Sequence, residues 1–144
     1  MTASDLERYI SAQESVLAQV SAELNAGRKQ THWMWFIFPQ LAGLGHSTTA
    51  RFYAIDDLRH AQRYLGHPVL GSRLRQHVGL LLQHADKTAR DILGAPDDLK
   101  LQSCLTLFKV ASSTREDQEL FEKGLRQFYS GQPDRRTLEL LQTR

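Results

Sequence analysis

Helical periodicity is the one pattern this chain sustains, and it leaves little room for any other class of fold. Leu6, Tyr9, Ile10, Leu17, Val20 and Leu24 recur at spacings that line one side of a helix, because residues three and four apart stack on the same face of a 3.6-residue turn. The spacing predicts a helix from about residue 5 to 26. Ser4 and Glu7 form a capping box at its start, and Gly27 stands where a left-handed residue would close it.

The pattern returns along the chain. Ser47 or Thr48 offers a cap for "TARFYAI", and Asp56 caps "DLRHAQRYL". His67 precedes a proline and is expected to be extended, and Pro68 can open the next helix at its first turn. Leu70, Leu74, Val78, Leu81 and Leu82 give that helix an apolar stripe to about residue 85. "KTARDILGAPDD" reads as a short helical turn, a glycine stop and a proline start. "DDLKLQSCLTLFKVA" is apolar around much of its circumference, as a central buried helix is. Thr114 with Asp117 is a second capping signature, opening a helix that carries Leu120, Phe121, Leu125 and Phe128. Asp134 caps a last short helix with Leu138 and Leu141. No hairpin signal or internal repeat interrupts the series. The expected fold is all-α: one compact domain over residues 1–144, about seven helices, and no substantial β-sheet.

The segment "THWMWFIFPQL" departs from this regularity. Two tryptophans and two phenylalanines fall within six residues, Trp33 to Phe38. As a strand, Trp33, Trp35 and Ile37 would face one way and Met34, Phe36 and Phe38 the other. As a short helix, Thr31 would cap it and Pro39 would stop it. A lone buried strand would leave backbone groups unsatisfied, so the helical turn is favoured.

Bulk properties bound the function classes. A chain of 144 residues suits one domain, and at this size roughly 70% of the unfolded surface is buried without need of staples. The formal charge of +2 is too small to announce nucleic acid or an anionic membrane as partner. Cys104 is the single cysteine, so no internal disulfide forms, which fits a cytoplasmic location. The first residues carry acids early and do not resemble a secretory signal. "WMWFIF" is far shorter than the roughly 20 apolar residues that span a bilayer, and no membrane association is expected.

Three blocks, "THWMWFIFPQLAGLGHS", "YAIDDLRHAQRYLGHPVLGSRL" and "DDLKLQSCLTLF", resemble those of the bacterial family catalogued as domain of unknown function 1810. The resemblance runs from "DLERYISAQ" to "TLELL". It implies a mainly α-helical single domain and carries no established activity, substrate or catalytic residue. Some members bear a calpastatin label. Calpastatin-type inhibitors are long, disordered and repetitive, whereas this chain has strong apolar periodicity and no repeat.

Candidate sites follow from residue chemistry. The six histidines are His32, His46, His60, His67, His77 and His84. The pairs His60/His67 and His77/His84 are seven residues apart, a helical rise of roughly 10.5 Å that cannot share one metal. No metal or cofactor is therefore expected. Cys104 lies in an apolar helix, where a thiol behaves as a small hydrophobe. "AGLGHST" is a tight loop leading to a helix start, with Ser47 and Thr48 as the best small-anion candidates, and Lys29 on the far side of the aromatic run. Asp97 and Asp98 suit a helix's first turn on dipole grounds alone. The functional reading of that turn makes Asp97 a general base beside Lys100 or His32. The aromatic run supplies core anchors, yet Gln30, His32 and Gln40 bracket it, and polar groups beside an aromatic wall also describe a ligand pocket.

The expected function is a pocket for a small polar or phosphorylated metabolite, with a nucleotide as one candidate and hydrolysis as one outcome. Lys29, His32, Trp33, Trp35, Gln40, Ser47 and Thr48 would bind, and His32, Asp97 and Lys100 are the candidate catalytic groups. The alternative is a non-catalytic module that binds protein or nucleic acid through the arginine-bearing helices of residues 51–77, with Arg51, Arg59, Arg63, Arg73 and Arg75.

Overall fold

A computed structural model describes residues 2–143, with side chains described for residues 6–143. Ten helices follow one another: α1 (Thr2–Glu14), α2 (Leu17–Ala26), α3 (Met34–Ile37), α4 (Thr48–Phe52), α5 (Leu58–Gly66), α6 (Leu70–Leu82), α7 (Ala89–Leu93), α8 (Asp97–Ala111), α9 (Arg115–Tyr129) and α10 (Arg135–Gln142). Seven of them are eight residues or longer, and no strand forms among the described residues. The chain is all-α, as its periodicity predicts.

The apolar circumference of α8 places it at the centre. It packs against α5, α7, α9 and α10, and Leu101, Cys104, Leu105, Leu107 and Phe108 are all buried. The other helices offer single apolar faces to it or to each other: α6 lies on α5 and α9, α2 on α6, and α1 on α3. Tyr9, Tyr64, Phe108 and Phe121 form a chain of ring contacts through the interior, with centroids 5.1, 5.3 and 6.1 Å apart.

Most expected caps are present. The side chains of Ser47, Thr114 and Asp134 accept the N–H groups of Ala50, Asp117 and Thr137. Gly27 takes φ +76°, its N–H bonds the Leu24 carbonyl, and the Arg28 N–H bonds the Glu23 carbonyl. That paired arrangement is a Schellman cap. His67 is extended as expected, and its Nδ1 accepts the N–H groups of Val69 and Leu70 ahead of α6.

Four local expectations differ. The predicted helix over residues 5–26 is two helices, broken at Ser15–Val16. Gln13 is buried there, its amide donating to the Phe36 carbonyl at 2.7 Å and to the Tyr64 hydroxyl at 3.2 Å. The bend after it lets α1 pack on α3 while α2 packs on α6. The Ser4 cap falls on a side chain outside the described ones, and α1 begins earlier, at Thr2. Asp57, not Asp56, caps α5 by accepting the His60 N–H at 2.8 Å. Thr31 does not cap the aromatic run. That run is the helical turn α3, with Trp33 at its N-terminal boundary and no side-chain cap, and Thr31 is held elsewhere.

Candidate functional site

The Schellman cap at Gly27 turns the chain out of α2, and the Lys29 N–H then bonds the Ile92 carbonyl of α7 at 2.6 Å. This sends the Lys29 side chain inward, where it is only 8% exposed and reaches Asp97 in the first turn of α8 at 3.1 Å. One turn further on, Lys100 reaches the other oxygen of the same carboxylate at 3.4 Å. Each ammonium also lies near an indole: Lys29 5.0 Å from the Trp33 ring centroid and Lys100 5.6 Å from that of Trp35. Cations favour the negative face of such rings. Two ammonium groups share one carboxylate, so the cluster carries a surplus positive charge, and Lys100 is its more exposed member at 28%.

The two tryptophans have different roles. Trp33 is 0% exposed and donates its indole N–H to Glu23 at 2.9 Å. It anchors the core and has no surface left for a ligand. Glu23 is the centre of this anchor. Its buried carboxylate also accepts the N–H groups of Gln30 (2.8 Å) and Thr31 (3.1 Å), the Thr31 hydroxyl (2.7 Å) and the Gln19 amide (2.8 Å). Burial alone would raise the Glu23 pKa, but the bonds from Gln30, Gln19 and Thr31 outweigh it and hold it at about 2. Sequence reasoning passed over this residue. The available signal was an acid in the apolar stripe of α2, three residues after Val20 and beside Leu24.

Trp35 is half-buried and lines a narrow cleft with Met34, Tyr53, Ala54 and Lys100. Its volume of about 10 Å³ is near the least that holds one water. Gln40, Gly45 and Lys100 also line a neighbouring groove of about 270 Å³, completed by Leu44, Pro96, Leu99, Gln102, Ser103 and Asp134. The loop wall of both is fastened by two backbone bonds: the Ile55 N–H donates to the Gln40 carbonyl at 2.8 Å, and the Ala42 N–H to the Ile55 carbonyl at 2.7 Å. All three blocks thus meet around Lys100: the first through Gln40 and Gly45, the second through Tyr53 and Ala54, the third through Lys100 itself.

The remaining sequence-derived candidates lie elsewhere. His32 is exposed and lines neither cleft nor groove. Ser47 and Thr48 are exposed at the start of α4, and Ser47 is already used as a cap. Asp97 is occupied by its two lysines. Cys104 is fully buried, and burial pushes its thiol pKa well up. Among the described residues, no three His, Cys, Asp or Glu side chains are placed to hold a metal. Among the same residues, no helix is long and apolar enough to cross a membrane.

The arginine-bearing helices are partly neutralised. Arg73 pairs with Glu14 at 2.6 Å, and Arg75 forms a two-pronged pair with Asp117 at 2.7 and 2.9 Å. A second cavity, of about 410 Å³, opens beside that pair and is lined by Gln62, Leu65, Gly66, Ala111, Ser113 and Thr114. Its one cation is matched by its one carboxylate.

A search of curated proteins finds no match. Among solved structures, the crystal structure of the conserved hypothetical protein Rv1873 from Mycobacterium tuberculosis is similar, with 48% identity, a TM-score of 0.91 and 96% of each chain covered. The family described as "Protein of unknown function (DUF1810)" matches residues 3–141, nearly the whole length over which the three sequence blocks and the helical core extend, and the chain belongs to it.

Proposed function

We propose that the protein binds a small polar metabolite, through a negatively charged group of it, in the groove between the Gln40–Gly45 loop and the N-terminal half of α8. The observation that carries this is Lys100. It lines the groove, lies over Trp35, and shares its one carboxylate partner among the described residues with a more buried lysine. An anionic group beside it would give Lys100 a partner that it does not have to share with Lys29. At about 270 Å³ the groove falls just below the roughly 300–1,000 Å³ of pockets for drug-sized ligands. This favours a metabolite smaller than a nucleotide. The Ser103 hydroxyl in the groove is tied to Asp134 at 3.0 Å, and the reading is of binding, with no hydrolytic step proposed.

Thermal shift of the full chain against sugar phosphates, carboxylates and amino acids is the test. A ligand at 100 times its Kd stabilises the fold by about 2.7 kcal/mol. That shift is expected for wild type and for His32→Ala, and is expected to vanish in Lys100→Gln. A shift that survives Lys100→Gln and is lost in His32→Ala would move the site to the exposed loop.

A further inference from the structure

We infer that the groove selects a zwitterion of amino-acid type, with an apolar body, over a simple anion; this rests on the groove being a ligand site. The groove has two poles. Lys100 and Ser103 are three residues apart on α8 and both line it, so they lie on one face about one turn apart. The Ser103 hydroxyl donates to Asp134 Oδ2 at 3.0 Å and fixes that carboxylate beside it. Oδ2 also accepts the Thr137 N–H at 3.0 Å and the Thr137 hydroxyl. All these bonds end on one oxygen. Oδ1 receives none among the described residues, which leaves an acceptor free at the groove's acidic pole. At the other pole, Lys100 is held by Asp97 at 3.4 Å, a longer contact than Lys29 makes with the same carboxylate.

The groove is therefore lined by charges of opposite sign, Lys100 and the Asp134 carboxylate that Ser103 holds, as the two charged groups of a zwitterion require. A ligand carboxylate would pair with Lys100 and its ammonium would donate to Asp134 Oδ1. Part of the groove's lining is apolar: Leu44, Pro96 and Leu99 contribute to it, and Leu99 is 61% exposed. A large aliphatic side chain left in water within a central helix otherwise buried on most sides has a use here, as the surface that receives an aliphatic ligand body. A phosphate or dicarboxylate would satisfy Lys100 but would face Asp134 with like charge.

Leucine, 4-methylpentanoate and 3-methylbutylamine share an aliphatic body and differ in which charges they carry. Each is titrated into the full chain by NMR, following groove amides, in wild type, Lys100→Gln and Asp134→Asn. Asparagine caps a helix as well as aspartate, so α10 is retained, which circular dichroism checks. Leucine is expected to bind at least tenfold tighter than either analogue, and to lose tenfold or more in each variant. The 4-methylpentanoate affinity is expected to fall only in Lys100→Gln. If 4-methylpentanoate binds as tightly as leucine and Asp134→Asn changes neither, the zwitterion inference is overturned while the groove stands as an anion site. If none of the three shifts groove amides, selection of an amino-acid zwitterion is overturned. The groove reading itself then stands or falls on the Lys100-dependent thermal shift with sugar phosphates.

Discussion

At Glu23 one buried carboxylate does what several separate contacts would otherwise have to do. It gathers the end of α2, the Gln30–Thr31 segment and the Trp33 indole onto two oxygens. Hydrogen bonds to a charged group contribute about 1.5–3 kcal/mol each, and a donor left buried without an acceptor costs a comparable amount. Glu23→Gln keeps the shape but removes the charge and turns one acceptor into a donor. The expected loss is about 2–3 kcal/mol in urea unfolding, with the m-value unchanged. Unchanged stability would mean that Trp33 is held by packing alone. Trp33 and Trp35 are two residues apart and chemically alike, yet one is sealed in the core and the other faces a cleft. Nothing local distinguishes them. The choice depends on which side of α3 meets Glu23 and which meets Lys100.

At the scale of elements, the joint between α2 and the aromatic segment is the most constrained. The carbonyls at the C-terminal end of α2 and its cap are met from the segment that follows α6: His84 Nε2 lies 2.7 Å from the Leu24 carbonyl, and Lys87 donates to the Gly27 carbonyl at 3.1 Å. A Cβ at Gly27 would lie 2.9 Å from both His84 and Lys87, at φ +76°. Gly27→Ala therefore combines a left-handed backbone penalty of roughly 1–2 kcal/mol per residue with displacement of both capping groups. A fall in Tm of several degrees is expected, read by thermal denaturation. A change within error would show that His84 and Lys87 can give way at no cost. Helix ends of this kind were legible in advance, because Gly27, Ser47, Thr114 and Asp134 act on backbone groups within three residues of themselves. The break at Ser15–Val16 was not legible. It follows from Gln13 being held by Phe36 and Tyr64, 23 and 51 residues away.

Over the whole molecule, three buried groups shape the response to acid: Glu23, His77 and Asp117, whose carboxyl the Arg75 hydrogen bonds hold below its usual range. Glu23 has its pKa lowered from 4.5 to about 2, so its stabilisation is complete above pH 4.5 and is lost as pH falls toward 2. His77 is 2% exposed and edge-on to Phe38. Burial, with Arg73 adding to it, lowers its pKa from 6.5 to about 4, so the unfolded chain takes up its proton first. Its contribution is complete above pH 6.5 and is lost as pH falls through 4. Glu23 and His77 both bind more protons unfolded than folded, and stability must fall with pH in both windows. Urea midpoints measured from pH 8 to 3 are expected to hold steady above about 7, decline below 6.5 and decline more steeply below 4.5. Glu23 and His77 each account for at most on the order of 3 kcal/mol, and Glu23→Gln should shrink the lower step to the part that Asp117 contributes and leave the upper step in place. The sequence by itself determined the all-α class, the single domain, most helix boundaries and the central place of α8. Each of these rests on caps and on a 3.6-residue repeat, interactions between residues a few positions apart. Only the tertiary structure decided that Lys29, Asp97 and Lys100 form one cluster, that Glu23 receives Trp33, that His32 lies outside the cleft and groove, and that Asp134 faces a groove with Lys100. Apart from the Asp97–Lys100 pair within α8, these are partnerships of charge and surface across 10 to nearly 70 residues of chain, made when helices pack. No local pattern encodes which of several similar side chains will be brought together.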